Sequence, residues 1–210
     1  MKTLFISAKT KQTLDASALK KISQKLPKNL ALCYSIQFED LAEEIKSQLK
    51  QKNITSFTQV LGCSSPHFSK NTDAVLLVGS GKFHAVSLAY ETKLPVYVFE
   101  DNTFTKISEK EVDKLAKQKK ASYVKFLNAK KVGVLVSTKL GQQNLKKALA
   151  FKKSLKNKKS YLFISNNINT AEFENFGLAS WVNTACKRLD LDSSVINIGD
   201  LNPRNSKHCF

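Results

Sequence analysis

Apolar and polar positions along this chain form two kinds of pattern, continuous apolar runs and runs with helical spacing. Asp73–Val78 is apolar after its first residue, which is typical of a parallel strand buried on both faces. Phe38–Gln51 has apolar residues at helical spacing and acidic residues in its first turn, as the helix dipole favours. Because such strands and helices alternate, the sequence predicts an α/β fold with parallel sheets flanked by helices.

The same patterns assign elements along the whole chain. Strands are predicted at Thr3–Ala8, Asn29–Ile36, Ile54–Leu61, Asp73–Val78, Pro95–Phe99, Lys131–Ser137, Ser160–Ser165, Leu178–Asn183 and Ser194–Ile198. Helices are predicted at Leu14–Leu26, Phe38–Gln51, Ala85–Thr92, Glu109–Ala129, Asn144–Leu155 and Thr170–Asn175.

The elements repeat on either side of the charged helix at 109–129, which indicates two similar domains. Residues 29–129 form the first domain and carry Cys63, and residues 130–210 form the second and carry Cys186. Residues 1–28 hold a strand and a helix with no partner strand before them, and an unpaired edge strand pairs readily with another chain. We therefore expect residues 1–28 to pack on a further domain that lies outside this chain.

Composition is that of a globular chain, since 42% of the 210 residues are hydrophobic and glycine and proline are few. No apolar run approaches the ~20 residues that a membrane-spanning helix needs. The apolar run near the N-terminus is also too short for a secretory signal, which needs roughly 7–15 apolar residues. We therefore expect a cytoplasmic protein that does not enter a membrane.

The formal net charge of +17 raises the question of nucleic-acid binding. Nearly all of the positive charge is lysine, and the arginines are Arg188 and Arg204 alone. Arginine is the preferred residue for bidentate phosphate and base contacts, so the excess is interpreted mainly as a solvated lysine surface. A weaker alternative is steering toward an acidic or RNA-associated partner. Direct nucleic-acid binding is not expected.

The chain contains four scattered cysteines without a CxxC pair, which is poor evidence for disulfides in a cytosolic protein: Cys33, Cys63, Cys186 and Cys209. Cys33 falls within a strand pattern and is interpreted as core. Cys63 and Cys186 each follow a predicted strand, and ligand sites in parallel sheets gather beyond the carboxyl ends of strands. We expect these two thiols to face one site, although buried, inert thiols would also fit the pattern.

Two glycine-containing loops also follow predicted strands. Gly79 and Gly81 precede His84 in a loop that matches neither a Walker loop nor a dinucleotide fingerprint, so it is either a turn or a ligand cradle. His84 is either a base or ligand contact or a histidine packed at a helix start. The segment Thr138–Gln142, with Gly141, is a strand-to-helix turn whose N–H groups could bind a carboxylate or phosphate. Its alternative is an N-cap by Thr138 with Gly141 relaxing the turn.

Four motifs, taken in order and with their spacing, resemble the archaeal 2-(3-amino-3-carboxypropyl)histidine synthase family, which begins diphthamide biosynthesis. They are Gln59–Cys63, Asp73–His84, Val134–Gln142 and Trp181–Arg188. The resemblance implies three similar α/β domains that each give one cysteine to a 4Fe-4S cluster, and S-adenosylmethionine bound at the open iron. It further implies a 3-amino-3-carboxypropyl radical that adds to a histidine of translation elongation factor 2.

The resemblance assigns cluster ligation to Cys63 and Cys186. On this interpretation we expect S-adenosylmethionine to be bound by Gly79, Gly81, His84, Thr138, Gly141, Gln142 and Arg188. Arg188 or the lysine surface could instead meet the acidic elongation factor. No catalytic side chain is assigned beyond these.

The sequence departs from the family in three places. The first domain and its cysteine are absent, Leu140 stands where the family has proline before Gly141, and Lys187 replaces the proline after the second cysteine. The third thiolate must then come from a separate chain carrying the first domain, from a homodimer mate, or from Cys209; the separate chain is favoured. A non-catalytic partner subunit, or a nucleotide-binding α/β module with structural cysteines, remains as an alternative.

Overall fold

A computed structural model describes Leu4, Ile6 and residues 8–61, 66–187, 189 and 194–201, except for the side chains of Ala18 and Phe83. The chain divides into two compact units, Met1–Leu115 and Ala116–Phe210. This division falls inside α4 (Glu109–Asn128), the helix that the sequence interpretation treated as a connector. Each unit contains one sheet.

The first unit holds strands β1 to β5 and helices α1 to α3. Its strands are β1 (Asn29–Tyr34), β2 (Asn53–Gln59), β3 (Ala74–Val78), β4 (Val96–Glu100) and β5 (Thr103–Lys106). Its helices are α1 (Ala16–Lys25), α2 (Glu39–Gln48) and α3 (Lys82–Thr92), with a 3₁₀ turn at Ile36–Phe38.

The first sheet has the order β2-β1-β3-β4-β5. Its first four strands are parallel, and β5 pairs antiparallel with β4. The sequence patterns missed β5, which follows β4 through a turn in which Asp101 and Asn102 have φ of 48° and 55°. Two positive φ values in a two-residue loop favour the tight hairpin turn seen here.

Helices cover both faces of the first sheet. One face packs with α1 and α2, whose buried residues include Leu19, Ile22 and Ile45. The other face packs with α3 through Ala85 and Leu88. Helix α1 is thus part of the first unit, and the packing of residues 1–28 on a further domain remains a prediction.

The strand predicted at Thr3–Ala8 lies partly outside the described residues. Leu4, Ile6 and Ala8 are described and belong to no strand. The side chains of Leu4 and Ile6 are each 82% exposed, so their apolar character does not reflect burial in a sheet.

The second unit holds strands β6 to β9 and helix α5. The strands are β6 (Lys131–Ser137), β7 (Lys159–Ser165), β8 (Ser180–Asn183) and β9 (Val195–Asn197), and the helix is α5 (Leu145–Ser154). This unit also contains 3₁₀ segments at Thr170–Phe176 and Ile198–Leu201; the first was predicted as an α-helix.

The second sheet has the order β7-β6-β8-β9 and is parallel throughout. Trp181 of β8 packs against Phe173 of the 3₁₀ segment, with ring centroids 4.1 Å apart. It covers Gly133 of β6, where a Cβ atom would collide with the indole ring. The predicted fold class, two α/β units with mainly parallel sheets, is confirmed. Among the described residues, no helix combines the length and the apolar character needed to cross a membrane.

Candidate functional site

Cys186 lies three residues beyond the last residue of β8, at the carboxyl edge of the second sheet. Its thiol is free and only partly buried. The sequence prediction that this cysteine follows the end of a strand is confirmed, because β8 ends at Asn183. A thiol in this place is open to a ligand or metal centre that binds at the sheet edge.

The buried side chain of Asn183 shapes the loop that carries Cys186. Its Oδ1 accepts from the N–H of Ala185 at 2.9 Å, and its Nδ2 donates to the carbonyl oxygen of Cys186 at 2.6 Å. The same Nδ2 also donates to Oδ1 of Asn197 at 2.6 Å. Asn197, at the end of β9, donates in turn to the carbonyl oxygen of Lys187 at 2.9 Å. Two carboxamides thus fix three consecutive residues of the loop.

A second set of hydrogen bonds ties the start of this loop to β6 and α5. The buried hydroxyl of Thr184 donates to the carbonyl oxygen of Leu135 at 2.7 Å, and its N–H donates to the same oxygen at 3.1 Å. Asn144 caps the N-terminus of α5 but makes no side-chain bond to its own helix. Its Nδ2 instead donates to the carbonyl oxygen of Thr184 at 2.7 Å.

The loop from β6 to α5 contains a type II turn. The N–H of Gln142 donates to the carbonyl oxygen of Lys139 at 3.0 Å, and Gly141 at the third position has a φ of +77°. That conformation favours glycine, and proline is common at the position before it. Leu140 occupies that position, and its side chain is 62% exposed.

Thr138 does not cap α5, so that part of the alternative is wrong, whereas the positive φ of Gly141 confirms that this glycine relaxes the turn. The cap residue of α5 is Asn144, and the hydroxyl of Thr138 donates to Oδ1 of Asn166 at 3.4 Å. The structure therefore brings Thr138, Gly141 and Gln142 into one loop, which Asn144 joins to the Cys186 loop.

In the first unit, Gly79 and Gly81 form the turn between β3 and α3. A Cβ atom on Gly79 would lie 2.9 Å from Oγ of Ser35, and Gly81 has a φ of +98° directly before α3. The helix begins at Lys82 rather than at the predicted Ala85, which places His84 in its first turn. The turn and the cradle interpretations of this loop both remain open.

Cys33 is a core residue, as predicted. It lies in the middle of the first sheet with no exposed surface, and burial raises the pKa of its thiol to about 12. A thiol that stays protonated in this way is a poor metal ligand, because ligation requires the thiolate.

Cys63, Arg188 and Cys209 lie outside the described residues. The convergence of Cys63 with Cys186 and the role of Arg188 therefore remain predictions. No group of three or more histidine, cysteine or acidic side chains that could hold a metal occurs in the described part of the chain. Cys186, which is only partly buried, fits one ligand position of an iron–sulfur cluster, and fully buried Cys33 does not.

The sequence interpretation missed four residues that shape the site, which are Asn144, Asn183, Thr184 and Asn197. A signal was present, since Asn183 and Asn197 each follow two apolar residues at the end of a strand and are only 1% and 5% exposed. Buried amides are normally hydrogen-bonded, so two of them at adjacent strand ends indicate a built network.

Two archaeal proteins that are similar in sequence to this chain carry the same name. A 2-(3-amino-3-carboxypropyl)histidine synthase from Pyrococcus horikoshii is 33% identical over 136 residues, covering 64% of this chain and 40% of that protein. The enzyme of the same name from Methanocaldococcus jannaschii is 29% identical over 174 residues, covering 80% of this chain and 48% of that protein. The chain therefore spans less than half the length of these two relatives.

A solved structure shows the same fold. Dph2 from Pyrococcus horikoshii, crystallised with a 4Fe-4S cluster, matches with a TM-score of 0.73 and 27% sequence identity. The match covers 86% of this chain and 59% of that one. The model of the diphthamide synthesis protein family matches residues 1–195. Since this match includes β1 to β8 and the Cys186 loop, the chain belongs to the diphthamide synthesis protein family.

Proposed function

We propose that this chain is part of an enzyme that transfers a 3-amino-3-carboxypropyl group from S-adenosylmethionine to a histidine of translation elongation factor 2. The observation that carries the proposal is the partly exposed thiol of Cys186, held at a sheet edge in a chain of this family. Because the acceptor takes part in translation, the reaction belongs to the cytoplasm.

Cys63 and Cys186 each supply one thiolate to a 4Fe-4S cluster, since such clusters are held by cysteine thiolates. When bound, the cluster supplies the electron that breaks the bond between sulfur and the aminocarboxypropyl carbon of S-adenosylmethionine. Cys33 is unsuited because its pKa is raised to about 12 by burial. The third thiolate comes from a separate chain carrying the first domain; a homodimer mate or Cys209 are the other sources.

The loops at the strand ends bind S-adenosylmethionine. In the second unit, the turn at Gly141 carries the hydroxyl of Thr138 and the amide of Gln142, and these side chains suit the polar methionyl end of the molecule. Arg188 follows Cys186 closely in sequence and pairs with the methionyl carboxylate, because a guanidinium binds carboxylates in a bidentate manner.

In the first unit, Gly79 packs closely against Ser35, Gly81 leaves space at the start of α3, and His84 stands in the first turn of that helix. A ligand that approaches the main chain closely needs such a gap, because glycine carries no side chain. We assign this loop to a second part of the S-adenosylmethionine site.

A non-catalytic partner subunit is the second candidate. It is supported by the same partly buried Cys186 at the sheet edge, because a thiol that ligates a cluster serves a non-catalytic subunit equally well. Such a subunit would keep part of the cluster ligation and serve electron transfer or assembly.

Anaerobic purification and reconstitution with iron and sulfide test the ligand assignment. We expect iron and sulfide to bind to the wild-type chain, alone or with a chain that carries the first domain. Cys63→Ala and Cys186→Ala should lose iron, whereas Cys33→Ala is the matched control and should retain it. Full iron content in both Cys63→Ala and Cys186→Ala would contradict the proposal.

Addition of dithionite and S-adenosylmethionine then separates the two candidates. Methylthioadenosine that forms only after the first-domain chain is added supports a split catalyst. A retained cluster without methylthioadenosine, even in the presence of that chain, supports the non-catalytic subunit and overturns the catalytic assignment.

A further inference from the structure

We propose that Asn144, Asn183 and Asn197 act together as positioning residues that set the orientation of Cys186 for cluster ligation. We call these three residues the carboxamide clamp. The inference rests on the proposed function, since it names the residues that prepare this chain's described ligand. Each acts on the main chain of the Cys186 loop.

The clamp holds the loop from three separate elements. Asn144 at the start of α5 binds the carbonyl oxygen of Thr184, Asn183 at the end of β8 binds Ala185 and Cys186, and Asn197 at the end of β9 binds Lys187. Every residue from Thr184 to Lys187 therefore has a main-chain group fixed by an asparagine side chain. Because the main chain is fixed on both sides of Cys186, the direction of its Cα–Cβ bond is fixed as well.

The bond between Asn183 and Asn197 also fixes which way each amide faces. Nδ2 of Asn183 donates to Oδ1 of Asn197, so Nδ2 of Asn197 must face the carbonyl oxygen of Lys187. Both orientations depend on one another, and aspartate at either position would place an oxygen against another oxygen.

The fold itself does not require this polar pair. The first sheet has the same strand order over its parallel part, and its register places Leu77 and Val98 where the second sheet has Asn183 and Asn197. Leu77 and Val98 are each 3% exposed, so the position is equally buried in the two sheets. The asparagines are thus explained by the loop that follows β8, and that loop carries Cys186.

Ligand-orienting groups outside the coordination sphere typically change metal affinity about 10–100-fold when they are removed. We therefore expect Asn183→Asp and Asn197→Asp to lower iron retention roughly 10-fold, under conditions that load the wild-type chain. The electron paramagnetic resonance spectrum of any remaining reduced cluster should also shift. Asn157→Asp, which makes the same chemical change on an exposed loop, should leave both unchanged.

A cluster-free measurement tests the clamp without the proposed function. In anaerobic apoprotein, the alkylation rate of Cys186 by iodoacetamide is followed by mass spectrometry of its peptide, with Cys33 as an internal measure of unfolding. Asn183→Asp and Asn197→Asp should each raise the alkylation rate of Cys186 several-fold, while Cys33 stays protected from alkylation. If the wild-type chain binds no cluster, either alone or with a chain that carries the first domain, the proposed function fails but this measurement still decides on the clamp.

The double substitution Asn183→Leu and Asn197→Val is a variant that should still fold. It introduces the residues found at the equivalent positions of the first sheet, Leu77 and Val98, and leaves no unpaired amide between the two strands. We expect a folded protein with faster alkylation of Cys186. Folded clamp variants in which the alkylation rate and the cluster spectrum both match the wild type would overturn the inference.

Discussion

The two sheets share a strand order, β2-β1-β3-β4 in the first and β7-β6-β8-β9 in the second, yet equivalent positions hold different residues. Ala31 lies beside Val75 in the first sheet, and Gly133 lies beside Trp181 at the same register in the second. Cys33 in the first corresponds to Leu135 in the second. This difference shows that the alternation of strands and helices determines the strand order of a sheet. Which residue occupies each strand position depends on local packing and on the loop that follows the strand.

Gly133→Ala should give the largest effect, because it adds a methyl group where the ring of Trp181 already lies. Overpacking of this kind costs about 1–3 kcal/mol. The free energy of unfolding of the second unit, measured with urea, should fall by that amount.

The reciprocal change, Ala31→Gly in the first sheet, is the matched control and should cost only about 0.5–1 kcal/mol. In a Trp181→Val background, which reproduces the Ala31–Val75 pair, Gly133→Ala should no longer destabilise the protein. An equal cost in both backgrounds would show that the collision with Trp181 is not the cause.

The second prediction concerns pH, and it separates Cys33 from its counterpart Leu135. Burial raises the pKa of Cys33 to about 12, above the value of about 8.5 for an unfolded cysteine. The unfolded chain therefore loses this proton first, so the stabilisation is complete below pH 8.5 and is lost as the pH rises toward 12.

Between pH 9 and pH 10.5, the free energy of unfolding of the first unit should fall by about 2 kcal/mol more in the wild type than in Cys33→Ala. Urea unfolding at a series of pH values measures this difference. Parallel pH profiles for the two proteins would show that Cys33 does not titrate between its folded and unfolded states.

The smallest expected effect concerns the connections after the first strand of each sheet. The first sheet continues through a 3₁₀ turn at Ile36–Phe38, whereas the second uses the type II turn at Gly141. Leu140→Pro should stabilise the second unit by about 0.4–1 kcal/mol, because proline suits this turn position and restricts the unfolded chain.

Gly141→Ala is the opposing variant. It should destabilise the second unit by about 1 kcal/mol, since an alanine is strained at a φ of +77°. Thermal unfolding of the two variants should move in opposite directions, and a shift in the same direction would contradict the turn type.

Much of the fold could be predicted from the sequence, because buried parallel strands leave a strong apolar signal. The run at Ala74–Val78 is an example, since every one of its residues is buried. The signal is weak where a strand is exposed. Thr103–Lys106 has only one partly buried residue, Phe104, and its turn lacks the glycine that usually marks a hairpin.

The candidate site could be predicted only in part. The place of Cys186 followed from the end of an apolar run, which is local information. The bond between Asn183 and Asn197 joins residues 14 positions apart, on strands whose pairing is set by the whole sheet. The sequence shows that Asn183 and Asn197 are polar, but it does not show that their side chains are hydrogen-bonded to each other.

The hairpin formed by β4 and β5 has a consequence for how the two units acquire their structure. Its strands are neighbours in the chain and meet through a two-residue turn, so they can pair within about 1–10 μs. Every pairing described in the second sheet is parallel, and such pairs must first close a connection of about a dozen residues or more. We therefore expect refolding from urea to show the β4–β5 hairpin of the first unit forming ahead of the parallel pairs in either sheet.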